Sequence, residues 1–184
     1  MPTIYDNIKT HLKRAIIERL SEAVGSRGAD FCVGYFNLRG WDILSGALDD
    51  WTSGQEKIRL LVGMAEAGPK LRRAMLPEDE DVLVDNKTKL RQKEEAALEF
   101  RRQLAQGAPS NHDEKTLRTL LTALNDKSLE VRLFLRYPLH AKLYLIHRQD
   151  TVTPLVGYLG SSNLTYSGLT GQGELNIDVV EQDA

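Results

Sequence analysis

Short apolar segments rich in β-branched and aromatic residues alternate with helical segments, and this alternation restricts the fold more than any other feature of the chain. ADFCVGYF (29–36) and KIRLLVGM (57–64) both have the composition of buried strands. The segment between them, 41–51, places two tryptophans and two leucines on one helical face. A strand, a helix and a second strand in this order predict a right-handed crossover between parallel strands.

The flanking regions extend this pattern to a mixed sheet. Residues 6–24 predict an amphipathic helix with Asp6 as its N-cap. Residues 65–128 are charge-rich, with helical patterns in 87–106 and 114–125, and we interpret them as a helical insertion within a single domain that spans the whole chain. Further strands are predicted in the last third of the chain, at 129–136, 140–147, 155–160 and 174–180. The expected fold class is α/β, with a mixed central β-sheet flanked by helices.

Composition excludes several classes of protein. A chain of 184 residues is long enough to bury a core without disulfides or structural metals. The net charge of -2 argues against histone-like binding of nucleic acid, and the single cysteine, Cys32, excludes an intrachain disulfide. No apolar run approaches the roughly 20 residues that cross a bilayer, and charges occur throughout the first part of the chain where a secretory signal would be apolar. The expected location is the cytoplasm.

One of the strands predicted in the last third starts with the sequence His-Ala-Lys. Side chains two apart on a strand share a face, so His140 and Lys142 are expected to point the same way. Leu143 and Leu145 are then expected on the opposite face, packed in the core.

The sequence GSSN (160–163) follows the next predicted strand. The link between the two strands is short enough to predict an antiparallel hairpin. If residue 147 pairs with residue 154, His140 lies opposite Ser161. The hairpin would bring an imidazole, an ammonium, a hydroxyl and an amide to one end of the sheet.

Such a cluster suits the oxygens of a phosphate. Lys142 and Asn163 supply N–H donors near neutral pH, and His140 beside them could act as a nucleophile or carry a proton. Tyr144 and Ser162 are expected to line the same pocket. No second His, Cys or carboxylate stands at ligand spacing beside His140, which argues against a metal site. The combination favours a phosphoryl site without metal or cofactor, whereas the histidine and lysine alone would favour an ordinary structural histidine beside a solvated lysine.

In combination, HAK, GSSN and Glu174 resemble the H-x-K-x4-D and G-S-x-N signature of the phospholipase D-like superfamily. The sequence is most similar to the nuclease branch and to phospholipase D-like domains at the N-terminus of DNA helicases. The strings DFCVGYFNLRGW and RLLVGM also resemble that helicase-associated group. The resemblance implies a phospholipase D-like fold, and it is compatible with an N-terminal fragment of a longer helicase-like protein.

The resemblance implies a role for each matching residue. His140 would be the nucleophile that forms a phosphohistidine, or the acid that protonates the leaving oxygen. Lys142 and Asn163 would hold the non-bridging phosphate oxygens, and Ser161 would add a hydrogen bond. Glu174 would accept a hydrogen bond from the far ring nitrogen of His140 and set its tautomer.

The chain departs from the family pattern in two ways. His147 stands where the motif has its aspartate, and Asp150 is a candidate replacement. Because the family's aspartate is chiefly structural, its absence affects local stabilisation more than the chemistry. The family mechanism also uses two histidines across one phosphate, whereas this chain has one H-x-K. The resemblance therefore predicts a homodimer in which two motifs form one composite site.

Three functions are compatible with these observations. The leading interpretation is a metal-independent phosphodiesterase that cleaves nucleic acid, with DNA as the first candidate. The first alternative is a non-catalytic module that positions DNA or a protein partner for an attached helicase. The second alternative, hydrolysis of lipid headgroups, is disfavoured because the sequence lacks an amphipathic helix with a cationic polar face, and no membrane partner is expected.

Overall fold

The computed structural model describes residues 2–48, 50–51, 55–63, 111–134, 139–171 and 173–180, together with some residues between 87 and 102. Its strands are β1 (Ile4–Tyr5), β2 (Gly28–Val33), β3 (Lys57–Gly63), β4 (Leu129–Phe134), β5 (Lys142–His147), β6 (Leu155–Gly160) and β7 (Asn176–Val180). Its helices are α1 (Leu12–Ser21), α2 (Leu38–Ser45), α3 (Asn111–Asn125) and α4 (Tyr166–Thr170), and a short 3-10 helix (Gly46–Leu48) follows α2. The described residues between 87 and 102 also have helical backbone.

Seven strands of the described chain form one mixed sheet, in the order β1-β7-β6-β5-β2-β3-β4. β2, β3 and β4 are parallel to one another, and the other neighbours are antiparallel. The predicted α/β class, the parallel pairing of the first two long strands and the antiparallel hairpin are therefore confirmed. His147 pairs with Leu155, so the register of the hairpin differs by one residue from the predicted pairing of 147 with 154.

The core lies on one face of the sheet, beneath the helices. The rings of Phe31 and Tyr144 meet edge to face on this surface, with centroids 5.0 Å apart. Trp41 and Leu44 of α2 are buried in the same core, so the apolar helical face predicted from the sequence does belong to the core. α1 adds buried Leu12, Ala15, Ile16 and Leu20, and α3 adds Leu120 and Ala123.

The opposite face of the sheet carries an apolar row. Directly paired residues run across it from β1 to β3: Ile4, Ile177, Leu159, Leu143, Cys32 and Leu61. The prediction that Leu143 and Leu145 pack in the core is wrong, because both are only half-buried on this second face. Lys142 and Tyr144 instead point toward the helices. The alternation was predicted correctly, but Lys142 lies on the core side at the first position of β5, where its Nζ reaches the carbonyl of His140 beyond the strand.

The first helix is shorter than the predicted 6–24, because a separate turn precedes it. α1 starts at Leu12. The Asp6 carboxylate accepts hydrogen bonds of 2.8–2.9 Å from the N–H groups of residues 8–10, and these backbone bonds lower the pKa of Asp6 to about 2. Asn7 takes a left-handed φ of 58° within the same turn. Asp6 therefore caps this turn and not α1.

Other boundaries differ by a few residues. β2 ends at Val33, earlier than the predicted strand end at residue 36. α2 starts at Leu38, earlier than predicted, because the side chain of Asn37 caps it by accepting a 2.8 Å hydrogen bond from the N–H of Gly40. The helix predicted over 114–125 is confirmed within α3. The last residues of three predicted segments, 64, 103–106 and 135–136, lie outside the described residues.

A cluster of opposite charges lies beside the apolar row. The Asp30 carboxylate is bonded to two nitrogens of the Arg59 guanidinium, to Nη2 of Arg27 at 3.0 Å and to Nε2 of His147 at 3.0 Å. Partial burial raises the pKa of Asp30, but hydrogen bonds from Arg59, His147 and Arg27 outweigh it and bring the pKa to about 2.

Replacement of Asp30 by Asn is expected to lower the free energy of unfolding by about 1–3 kcal/mol at pH 7. A carboxyl whose folded pKa is about 2 and whose unfolded pKa is about 4 stabilises the fold fully above the unfolded value. That contribution is lost as the pH falls through the folded value. Urea unfolding of both proteins at pH 7 and near pH 2 measures the difference, which should nearly vanish at the lower pH.

The matched control for this prediction is Glu130→Gln. The Glu130 carboxylate pairs with the exposed Arg132 on the same face, so its loss should cost less than about 1 kcal/mol. An Asp30→Asn penalty that is equal at both pH values would contradict the electrostatic explanation.

Candidate active site

The candidate site lies where β2 ends and β5 begins. Val33 pairs with Lys142, so the residues that follow β2 lie beside those that precede β5. A Cβ atom at position 34 would lie 3.5 Å from Cδ2 of His140 and 3.2 Å from Oδ1 of Asn163. Gly34 therefore lies between the histidine and the asparagine, and its lack of a side chain allows both to approach the strand end.

The amide of Asn163 has a defined orientation. Its Oδ1 accepts a 3.0 Å hydrogen bond from the backbone N–H of Tyr35. No residue in the described part of the chain accepts a hydrogen bond from Nδ2 of Asn163. The amide thus turns its oxygen toward the protein and keeps its two N–H donors for a ligand, which suits an anion.

Lys142 brings a buried positive charge to the same place. Its side chain is only 5% exposed, and Nζ donates to the carbonyl of His140 at 3.3 Å. Burial lowers the pKa of Lys142, and the negative charge of Glu174 opposes that shift. His140 itself is exposed, so a solvent-borne substrate can reach its ring.

Glu174 lies on the same side of the sheet as Lys142. Its backbone N–H donates to the carbonyl of Asp6 at 3.3 Å. Its negative charge partly offsets the lowering of the Lys142 pKa by burial. For Tyr144, burial and then the same charge both raise the pKa. Within the described part of one chain, no hydrogen bond joins the Glu174 carboxylate to the ring of His140. The structure therefore relates Glu174 to the lysine, and the bond to the histidine that the motif implies stays a prediction.

The three other predicted site residues lie beside or beneath these groups. Ser161 exchanges hydrogen bonds with the backbone of Leu175, accepting at 2.9 Å from its N–H. Ser162 is fully buried, and its carbonyl accepts a 2.9 Å bond from the hydroxyl of Tyr144, which is also buried. Ser162 and Tyr144 therefore support the site from below and do not line its surface.

His147, which stands at the position of the motif's aspartate, lies on the far face of the sheet and has a carboxylate beside it. His147 bonds to Asp30 of the neighbouring strand β2. Asp150, the candidate replacement, instead accepts from the N–H groups of Val152 and Thr153 and pairs with Arg148 in the β5–β6 link. The carboxylate beside His147 is thus Asp30, and the candidate site contains neither aspartate.

The described residues offer neither a metal site nor a membrane-spanning helix. They contain no group of three or more His, Cys, Asp or Glu side chains that could hold a metal ion. Among them there is also no helix with the length and apolar character needed to cross a membrane.

Sequence reasoning missed Gly34 and Tyr35, which lie at the site itself, and Asn176, whose buried side chain bonds to Ser162. Gly34 has a recognisable signal, since a glycine directly after a buried strand often marks a close approach. Tyr35 contributes a backbone N–H, and a backbone group leaves no trace in the sequence. The sequence alone indicates only that Asn176 lies in a strand, because its hydrogen-bond partners are distant along the chain.

Comparison with known proteins identifies the family. The family model described as cardiolipin synthase, PLD-like domain, matches residues 16–184. Among solved structures, the phospholipase D family member Nuc from Salmonella typhimurium is 9% identical with a TM-score of 0.50, over 99% of this chain and 83% of that one. Phosphatidylserine synthase from Haemophilus influenzae is 14% identical with a TM-score of 0.51, over 98% of this chain and 34% of that one. A search of the curated proteins gives no match.

The family match covers most of the chain, and both of these structures share its fold. The matched segment includes His140, Lys142 and Asn163, which the structure brings around Gly34. This chain therefore belongs to the phospholipase D-like domain family.

Proposed function

We propose that this chain is a metal-independent phosphodiesterase that cleaves nucleic acid, most directly DNA, with His140 as its nucleophile. The observation that carries the proposal is the arrangement around Gly34. An accessible imidazole lies next to the Asn163 amide, whose oxygen is already engaged. The buried ammonium of Lys142 follows two residues later. An anionic phosphodiester would find both a nucleophile and hydrogen-bond donors there.

The chemistry would proceed in two displacements. A ring nitrogen of His140 attacks phosphorus, the P–O bond to the leaving alcohol breaks, and that oxygen takes up a proton. Water then attacks the phosphohistidine, which releases a phosphomonoester and restores the imidazole. Lys142 and Asn163 would stabilise the charge on the non-bridging oxygens in both steps, and the burial of Lys142 strengthens that interaction.

We also propose that two copies of the chain complete the site. The leaving oxygen needs an acid, and His147, another histidine of the described chain, lies on the opposite face of the sheet. His140 is exposed, and Glu174 forms no hydrogen bond to it within the described part of one chain. A second H-x-K motif across a two-fold axis would supply the acid. A chain that remains monomeric at micromolar concentration and still cleaves phosphodiesters would contradict this dimer.

A second candidate is a non-catalytic module that holds nucleic acid or a partner for an attached helicase. The observation that favours it is the replacement of the motif aspartate by His147, which pairs on the far face of the sheet. Such a module would keep the fold and the phosphate-directed donors, but it would not depend on the imidazole of His140.

Incubation with DNA, with a chromogenic phosphodiester and with phosphatidylglycerol vesicles, each in excess chelator, tests these functions. We expect cleavage of the first two substrates and a covalent phosphoenzyme that rapid denaturation traps. His140→Ala protein should show neither. Loss of cleavage in chelator would contradict the metal-free mechanism, and hydrolysis of the lipid alone would identify a lipid substrate. Binding of DNA without cleavage would support the non-catalytic module.

A further inference from the structure

Ser162, the residue before Asn163, is held from several sides. It is fully buried. Its N–H donates to Oδ1 of Asn176 at 3.2 Å, and its Oγ accepts from Nδ2 of Asn176 at 2.9 Å. The hydroxyl of Tyr144 donates to its carbonyl at 2.9 Å. Side chains of two strands, β5 and β7, therefore fix its backbone and its hydroxyl together.

Asn176 makes two of these bonds, one from each end of its amide. It is 2% exposed and stands at the start of β7, paired with Gly160. Nδ2 also lies 3.4 Å from the carbonyl of Tyr5, which accepts a second bond from it. A buried amide with partners at both ends resists rotation, because any rotation leaves a buried polar group unpaired.

The position of Ser162 determines that of Asn163. The Asn163 amide keeps its orientation only while Oδ1 reaches the N–H of Tyr35, at 3.0 Å. Oδ1 also lies close to Gly34, only 3.2 Å from where a Cβ atom of that residue would be. A displacement of about 1 Å at residue 162 would break that bond and let the amide turn its oxygen toward the ligand. Misplacement on this scale can cost up to about a hundredfold in rate.

We propose that Asn176 is a positioning residue for the phosphate site. It clamps Ser162 so that Asn163 presents its N–H donors to a non-bridging oxygen of the substrate. The assignment rests on the proposed phosphodiesterase function. Asn176 itself touches no reacting atom, and its effect passes through residues 162 and 163.

The test compares Asn176→Ala with Asn176→Asp and with a matched control, Asn7→Gly. Aspartate keeps the acceptor for the N–H of Ser162, and its second oxygen can accept from the Ser162 hydroxyl in place of the amide donor, so it should restore most of what alanine loses. Asn7 is also buried and donates to the carbonyl of Gly168 at 2.8 Å; its 3.4 Å bond to Oγ of Ser162 can be lost without freeing Ser162, which Asn176 still holds at two atoms. Glycine there keeps the left-handed backbone. Each protein is assayed for Tm, for kcat and KM with a chromogenic phosphodiester, and for binding of inorganic phosphate by calorimetry.

We expect Asn176→Ala to lower kcat about 10- to 100-fold with a smaller change in KM, and Asn176→Asp to recover most of it. Asn7→Gly should lose comparable Tm but keep kcat within about threefold. Equal kcat in Asn176→Ala and Asn7→Gly would overturn the positioning role. If Asn176→Ala does not fold, Asn176→Thr, which can keep one of the two bonds, replaces it.

Phosphate binding separates this proposal from the proposed function. One outcome is a wild type that shows no cleavage and yet binds phosphate. If Asn176→Ala then weakens phosphate binding at least tenfold relative to Asn7→Gly, the positioning role of Asn176 stands and the catalytic proposal fails. If the wild type cleaves and both variants bind phosphate equally well with unchanged kcat, the clamp fails alone. A wild type that neither cleaves nor binds phosphate overturns both.

Discussion

Replacement of His140 by Ala is expected to reduce kcat for phosphodiester cleavage at least about a thousandfold, or about 4 kcal/mol of transition-state stabilisation. The substitution removes the atom that would form the bond to phosphorus. KM should change little, because Lys142 and the Asn163 amide still offer their donors to the substrate. Steady-state kinetics with a chromogenic phosphodiester in excess chelator measures both parameters.

His147→Asn provides the matched control for that result. His147 is the last residue of β5, the strand that follows His140, and it bonds to Asp30 on the opposite face, so its loss should affect stability and leave kcat within about twofold. If His140→Ala retained more than a tenth of the wild-type kcat, the nucleophile would be another group. That outcome would leave the chain an enzyme but overturn the role proposed for His140.

Replacement of Lys142 by Met is expected to lower kcat/KM by about a hundredfold to a thousandfold while leaving the protein equally or more stable. In the proposed mechanism the buried ammonium holds the non-bridging oxygens, so its loss should be costly for the reaction. The same burial lowers the pKa of Lys142, so the charged form is maintained at some expense to the fold. Methionine has a similar length and no charge, and we expect a gain of about 1 kcal/mol in the free energy of unfolding.

Urea unfolding and kinetics on the same preparations separate these two effects. Lys115→Met on the exposed surface of α3 is the control, and it should change neither quantity appreciably. A variant at residue 142 that lost activity and stability in parallel would indicate that Lys142 is chiefly a structural residue.

The strands, the crossover and the paired motifs could be predicted because each depends on residues close in sequence. Apolar alternation and composition are local properties, and so are the H-x-K and G-S-x-N spacings. The single-residue difference in the β5–β6 register arises from the link itself. There the N–H of Arg148 donates to the carbonyl of Pro154, and Asp150 caps the intervening turn. Hydrophobic patterns do not report such bonds.

The supporting residues of the site could not be predicted for a different reason. The contribution of Tyr35 is a backbone N–H, and that of Asn176 depends on which residue it meets across the fold. The prediction assigned the two faces of β5 the wrong way round, because a core is expected to exclude lysine. Lys142 is the first residue of β5, and its Nζ donates to the carbonyl of His140 beyond the strand.

The turn before α1 has a consequence for folding. Asn176, which holds Ser162, donates to the carbonyl of Tyr5 just before this turn, 171 residues away along the chain. Closing a loop of this length costs more conformational entropy than closing the shorter connection between the parallel neighbours β3 and β4. The two ends of the described chain must therefore meet before the phosphate-directed amide is oriented. Catalytic activity would then be among the last properties to appear during refolding, after most of the helical and strand signal has returned.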